Sequence, residues 1–98
     1  MIERIVLFKL KPTHASPESR ARFASALAEA LRGTLDASVG VPADAAAEKS
    51  WDLSVVVRHE TLEVAQAFDP VAALSEASGV PAGDLVEVTK SWVFRQPN

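Results

Sequence analysis

The sequence predicts a single α+β domain, residues 1–98, whose elements run strand, helix, strand, strand, helix, strand. Three observations carry this. Ile5-Val6-Leu7-Phe8 is apolar at consecutive positions, so the first strand is buried on both faces. Two segments with helical spacing of apolar residues, one after the first strand and one after the third, alternate with strand-like runs. Right-handed crossovers then place both helices on one face of a four-stranded antiparallel sheet and leave the other face open. An apolar open face needs a cover. A second copy of the same sheet is the economical one, because closed twofold dimers are the commonest oligomers.

The elements follow in order. Ile2 to Leu10 forms the first strand, and Pro12 ends it. Ser16-Pro17-Glu18 opens a helix, with Ser as N-cap, Pro at the first helical position and an acid in the first turn. It runs to about Arg32, with Phe23, Leu27, Ala30 and Leu31 as its buried stripe and Gly33 as its stop. Leu35 to Val41 alternates weakly and suits an edge strand. Pro42 to Ser50 is a connector whose Asp44 to Lys49 stretch favours a helical turn. Trp51 to His59 is the second strong strand, with Trp51, Leu53, Val55 and Val57 on one face. Thr61 caps a helix carrying Leu62, Ala65 and Phe68, which Asp69-Pro70 interrupts. A second piece runs from about Val71 to Ser78, and Gly79 to Gly83 forms a turn-rich break. Leu85 to Arg95 is the last strand, with Val86, Val88, Trp92 and Phe94 on one face.

Composition limits the function. Ten basic against thirteen acidic residues give a net charge of −3 with no basic stripe, which argues against nucleic acid as a partner. Cysteine is absent, so thiolate chemistry and thiolate-bound metals are excluded. No apolar run has membrane-spanning length, and Met1-Ile2-Glu3-Arg4 does not read as a secretory leader, so a cytoplasmic protein without membrane contact is expected.

Ile5-Val6-Leu7-Phe8-Lys9-Leu10-Lys11, Trp51-Asp52-Leu53 and His59-Glu60-Thr61-Leu62-Glu63 resemble, in order and spacing, segments of the stress-responsive dimeric α/β-barrel (Dabb) family. The resemblance extends over nearly the whole chain. It implies a ferredoxin-like fold whose two sheets join as a dimeric α+β barrel. It also implies a pocket between sheet and helices, where cyclase members of the family place histidines and a tyrosine. Here Arg4 stands where a histidine often precedes the first strand's apolar run, and Phe68 stands in place of the tyrosine. Phe68-Asp69-Pro70-Val71-Ala72 holds no histidine where the family often has His-Pro-x-His. A cyclase-type general base has no carrier there.

The candidate ligand-pocket residues are therefore Arg4, Phe23, Leu53, His59 and Phe68, and the candidate dimer interface is Ile5, Leu7, Trp92 and Phe94. Arg4 offers a fork for an anionic group, or else a salt bridge at the strand start. His59 offers an acid/base group, or else a half-exposed strand end. His14 reads as a loop residue, and Asp69 as a turn former or helix cap. Two histidines without helical ligand spacing make no metal site, and no cofactor is expected. Phosphate-cradling glycine loops and nucleophile elbows are absent from the sequence.

Three functions fit. The first is a Dabb-type barrel protein that binds a small hydrophobic or aromatic ligand and forms a homodimer. The second is a cyclase or cofactor-free monooxygenase, disfavoured because the polar groups such an enzyme needs are few. The third is a structural, stress-associated oligomer.

Overall fold

A computed structural model describes residues 1–97. Its strands are β1 (Ile2–Leu10), β2 (Asp36–Gly40), β3 (Leu53–His59) and β4 (Val86–Arg95). Its α-helices are α1 (Pro17–Leu31), α2 (Ala45–Ser50), α3 (Leu62–Ala67), α4 (Pro70–Ser78) and α5 (Ala82–Leu85). The sheet order is β2-β3-β1-β4, with every neighbouring pair antiparallel. This is the βαββαβ arrangement that the pattern of apolar runs predicts.

Local chemistry sets most boundaries. Ser16 accepts a hydrogen bond from the Ser19 N–H, with Pro17 at the first position of α1. Thr61 caps α3 through the Val64 N–H, and Asp69 caps α4 through the Ala72 N–H. The helical region therefore breaks at Asp69-Pro70, as expected. Gly79 ends α4 at φ 73°, a left-handed position that glycine adopts without a Cβ penalty.

The two faces of the sheet are now distinct. Val6, Phe8, Leu10, Leu53, Val55 and Val57 point under the helices and pack with Phe23, Leu27, Leu31, Leu74 and Leu85. Ile5, Leu7, Ser54 and Val56 alternate with them and point to the open face.

Four sequence expectations change. Ala30 is exposed, so the α1 stripe is Phe23, Leu27 and Leu31. Those residues lie four apart on one helical line, and Ala30 falls to its side. Trp51 is the C-cap of α2 and not a strand residue, because its N–H bonds the Ala47 carbonyl. Val86 does not share the face of Val88. Leu10 pairs with Val86 while Lys9 pairs with Val88, and this bulge turns Val86 against the core. The Gly79–Gly83 break also runs into a single helical turn, α5, which takes Leu85 out of the last strand. Among the described residues, no helix is long and apolar enough to cross a membrane.

Candidate functional site

Two regions hold the candidate residues. The first lies at the end of the sheet under α3. Arg4 sits on the helix face of β1, two residues before Val6, so its side chain runs beneath α3. Its guanidinium donates to the carbonyls of Ala65 (2.7 Å) and Phe68, and its Nε donates to Ser91 Oγ at 2.8 Å. These carbonyls lie at the C-terminal end of a short helix, where backbone acceptors lack intrahelical partners. A cation there also opposes the negative end of the helix dipole. Arg4 thus holds a helix end in place of an anionic group.

His59 ends β3 opposite Ile2 and is 4% exposed. Its ring stands 5.8 Å from the Phe68 ring, and the Arg4 guanidinium lies 6.0 Å from the Phe68 centroid. Nε2 of His59 is buried and finds no hydrogen-bond partner among the described residues. Burial, and then the nearby Arg4 charge, lower its pKa from the ordinary 6.5. The imidazole is therefore held neutral.

Arg4, His59 and Phe68 form one cluster. Phe23 and Leu53 do not join it. Phe23 is a core residue that meets the His14 ring at 5.8 Å, and Leu53 lies at the opposite end of β3 from His59. A strand of this length separates its ends by roughly 20 Å. His14, expected as a loop residue, lies in a 3₁₀ turn, Pro12–His14, and is half-buried. No group of three or more His, Cys, Asp and Glu side chains among the described residues could hold a metal ion.

The second region is the open face. Its rows follow from the register. Val56, Ile5 and Trp92 form the central row. Ser54, Leu7 and Lys90 form the row on one side, and Arg58, Glu3 and Phe94 the row on the other. Trp92 is 46% and Phe94 52% exposed. Arg58 bridges Glu3 (3.3 Å) and Asp36 (3.7 Å), so the charges of that row pair within the chain. All four candidate interface residues lie on this face. At its β3 side a recess of about 150 Å³ opens between the sheet and α2, lined by Leu7, Val41, Pro42, Ala43, Ala47, Trp51, Leu53 and Ser54. Gly40 pairs with Ser54, and a Cβ there would meet Ser54 Oγ at 2.9 Å.

Sequence reasoning missed one cluster. Asp52 is 4% exposed. Its Oδ2 accepts from the Leu10 N–H at 2.6 Å, and its Oδ1 accepts from Arg20 Nε at 2.7 Å. Arg20 lies off the Phe23-Leu27-Leu31 stripe of α1. The pair ties α1 to the start of β3 and the end of β1, and no local pattern signals a partner 32 residues away.

No protein-family model matches the chain, and no curated protein matches it in sequence. Several solved structures share its shape. A dimeric protein of unknown function and ferredoxin-like fold from Bacteroides fragilis NCTC 9343 superposes with a TM-score of 0.68 at 17% identity, covering 97% of this chain and 95% of that one. A dimeric ferredoxin-like protein of unknown function from Thermobifida fusca YX gives 0.69 at 19%, covering 97% and 90%. The Arabidopsis thaliana protein At3g17210 gives 0.60 at 12%, covering 100% and 97%. These likenesses establish a ferredoxin-like α+β fold.

Proposed function

We propose that this chain, which shares its ferredoxin-like fold with proteins that are dimeric, works as a homodimeric α+β barrel protein of the stress-responsive Dabb type. The observation that carries the reading is the open sheet face. Ile5, Leu7, Val56, Val88, Trp92 and Phe94 all point to it, and none of them packs into the core under the helices. Exposed apolar surface of this kind marks an interface. The segments resembling the Dabb family, quoted above, support the family assignment. Light scattering of the purified protein tests the dimer. The expected mass is 2 × 10.5 = 21 kDa. A mass of one chain, with native secondary structure by circular dichroism, overturns the reading.

A second reading is that the protein binds a small aromatic or hydrophobic ligand between sheet and helices. What favours it is the His59 Nε2, buried beside the Phe68 ring without a partner. A neutral imidazole nitrogen accepts from, or donates to, a phenolic hydroxyl, and Phe68 offers a ring face to the aromatic body. The test is an NMR titration with simple phenols that follows the His59 ring nitrogens. Saturable shifts at His59 and Phe68 support it; unmoved resonances at millimolar phenol rule it out.

A further inference from the structure

The open face carries both a knob and a hole, and they are not neighbours. Phe94 stands on β4 opposite Glu3. Ser54, which stands on β3 opposite Leu7, lines the sheet side of the recess. Phe94 thus lies one strand from β1 and two residues before Ile5; Ser54 lies one strand away on the other side and two residues beyond Ile5. Ile5 is the midpoint between them.

We infer that the Phe94 ring of one copy fills the recess of a second copy, across a twofold axis that passes over Ile5. The inference rests on the homodimer reading and specifies which residues meet. An axis lying between the two faces, perpendicular to the line from Phe94 to Ser54, exchanges knob and hole and leaves Ile5 facing its own copy. Such an exchange satisfies the self-complementarity that a twofold interface requires.

Four observations favour this occupant. The recess of about 150 Å³ matches the apolar cavity size that accepts a single benzene ring. Its walls are apolar, and the bare Gly40 keeps its edge clear beside Ser54. With strands about 4.8 Å apart and residues about 3.3 Å apart, the axis leans roughly 54° from the strands and the two sheets cross at roughly 70°. That is close to the orthogonal class of sheet packing, so the arrangement needs no unusual geometry. Covering the face also strands no charge in its Phe94 row, since Arg58 is already paired with Glu3 and Asp36.

Four strands by seven residues give a flat footprint of about 19 × 23 Å, or about 440 Å². Standing side chains and the flanking α2 segment raise the surface that is covered. Stable specific dimers bury about 600–1,000 Å² per partner. The same operation brings Trp92 close to the partner's Leu7, which adds a second aromatic anchor of the kind that dominates interface energies.

The decisive experiment uses dimers mixed from differently labelled copies of the whole chain. Phe94 lies on the edge strand β4 and Ala47 on α2, beyond the β3 side of the face, so a nuclear Overhauser contact between the Phe94 ring and the Ala47 methyl arises only between copies. That contact is expected, as is a rise of at least about 30-fold in the dimer dissociation constant for Phe94→Ala. Phe94 is exposed in one chain, so this variant folds; circular dichroism checks it. Ala47→Trp, which fills the hole, should weaken the dimer in the same way. A dimer that lacks the contact and tolerates Phe94→Ala overturns the inference but leaves the homodimer reading standing. So does a dimer whose Phe94 stays solvent-exposed while its recess methyls respond to added phenol. A monomeric wild-type protein overturns both.

Discussion

Replacing Asp52 by alanine removes two interactions at one buried point and the tie they make together. The Leu10 N–H loses its acceptor, the Arg20 guanidinium loses its counter-ion, and the α1–β3–β1 junction loses its tie. Arg20 is itself nearly buried, its side chain being 12% exposed. An unpaired buried donor costs about 1–3 kcal/mol, and breaking a buried ion pair from one side costs about 3–5 kcal/mol. The two penalties overlap at the same carboxylate, so the larger range is the expected total. Because Arg20 can swing toward Glu48, 3.5 Å from its guanidinium, the lower half of that range is favoured. A loss of about 3 kcal/mol is a large part of the roughly 5–15 kcal/mol that holds a small domain together. In a chain of this length it lowers the melting temperature by at least about 12 °C. Urea unfolding of the wild type, Asp52→Ala, Arg20→Ala and the double variant measures it. The double variant should cost less than the two single losses combined, with a coupling of about 1–3 kcal/mol. A loss below about 1 kcal/mol for Asp52→Ala, or strict additivity, refutes the view that this carboxylate is a structural tie.

Three further outcomes follow from the region beneath α3 and the caps. His59 is held neutral with its pKa below 6.5, so the unfolded chain binds the proton more readily than the folded one. Stability from this group is present above pH 6.5 and falls as pH drops below that value. Urea midpoints between pH 7.5 and 5.5 should therefore decline more steeply for the wild type than for His59→Gln; parallel curves contradict it. Arg4→Met removes the donors to the Ala65 and Phe68 carbonyls and should cost about 1–3 kcal/mol, with faster amide exchange concentrated in α3. Asp69→Ala removes the α4 cap and should cost about 1 kcal/mol, read from the urea midpoint.

The parts of this structure legible in its sequence are those set by local chemistry. Ser16-Pro17, Thr61 and Asp69-Pro70 mark helix starts because a cap and its N–H lie three residues apart. Ile5 to Phe8 announces a strand apolar on both faces for the same reason: the period is visible within four residues. What the sequence does not show is set by contacts between distant segments. Arg20 finds Asp52, and Arg4 finds the end of α3, only once the sheet and helices have assembled. The bulge at Lys9 and Leu10 reverses the facing of Val86 through pairing with another strand, and the run of alternating residues in β4 carries no sign of it. The candidate pocket divided for the same reason. His59 and Phe68 are close in sequence and in space, whereas Leu53 is carried to the far end of β3 by the strand itself.

The covered open face is the central claim, and sedimentation equilibrium of the wild type beside Ile5→Glu tests it most directly. Ile5 sits in the middle row of the face, between Val56 and Trp92, and outside the core under the helices. A carboxylate there leaves the fold intact and places two like charges at the twofold axis. The wild type should remain a 21 kDa species (2 × 10.5 kDa) on dilution to micromolar concentration, and Ile5→Glu should sediment as a folded single chain. A wild type that sediments as one chain, or an Ile5→Glu variant as dimeric as the wild type, contradicts the account.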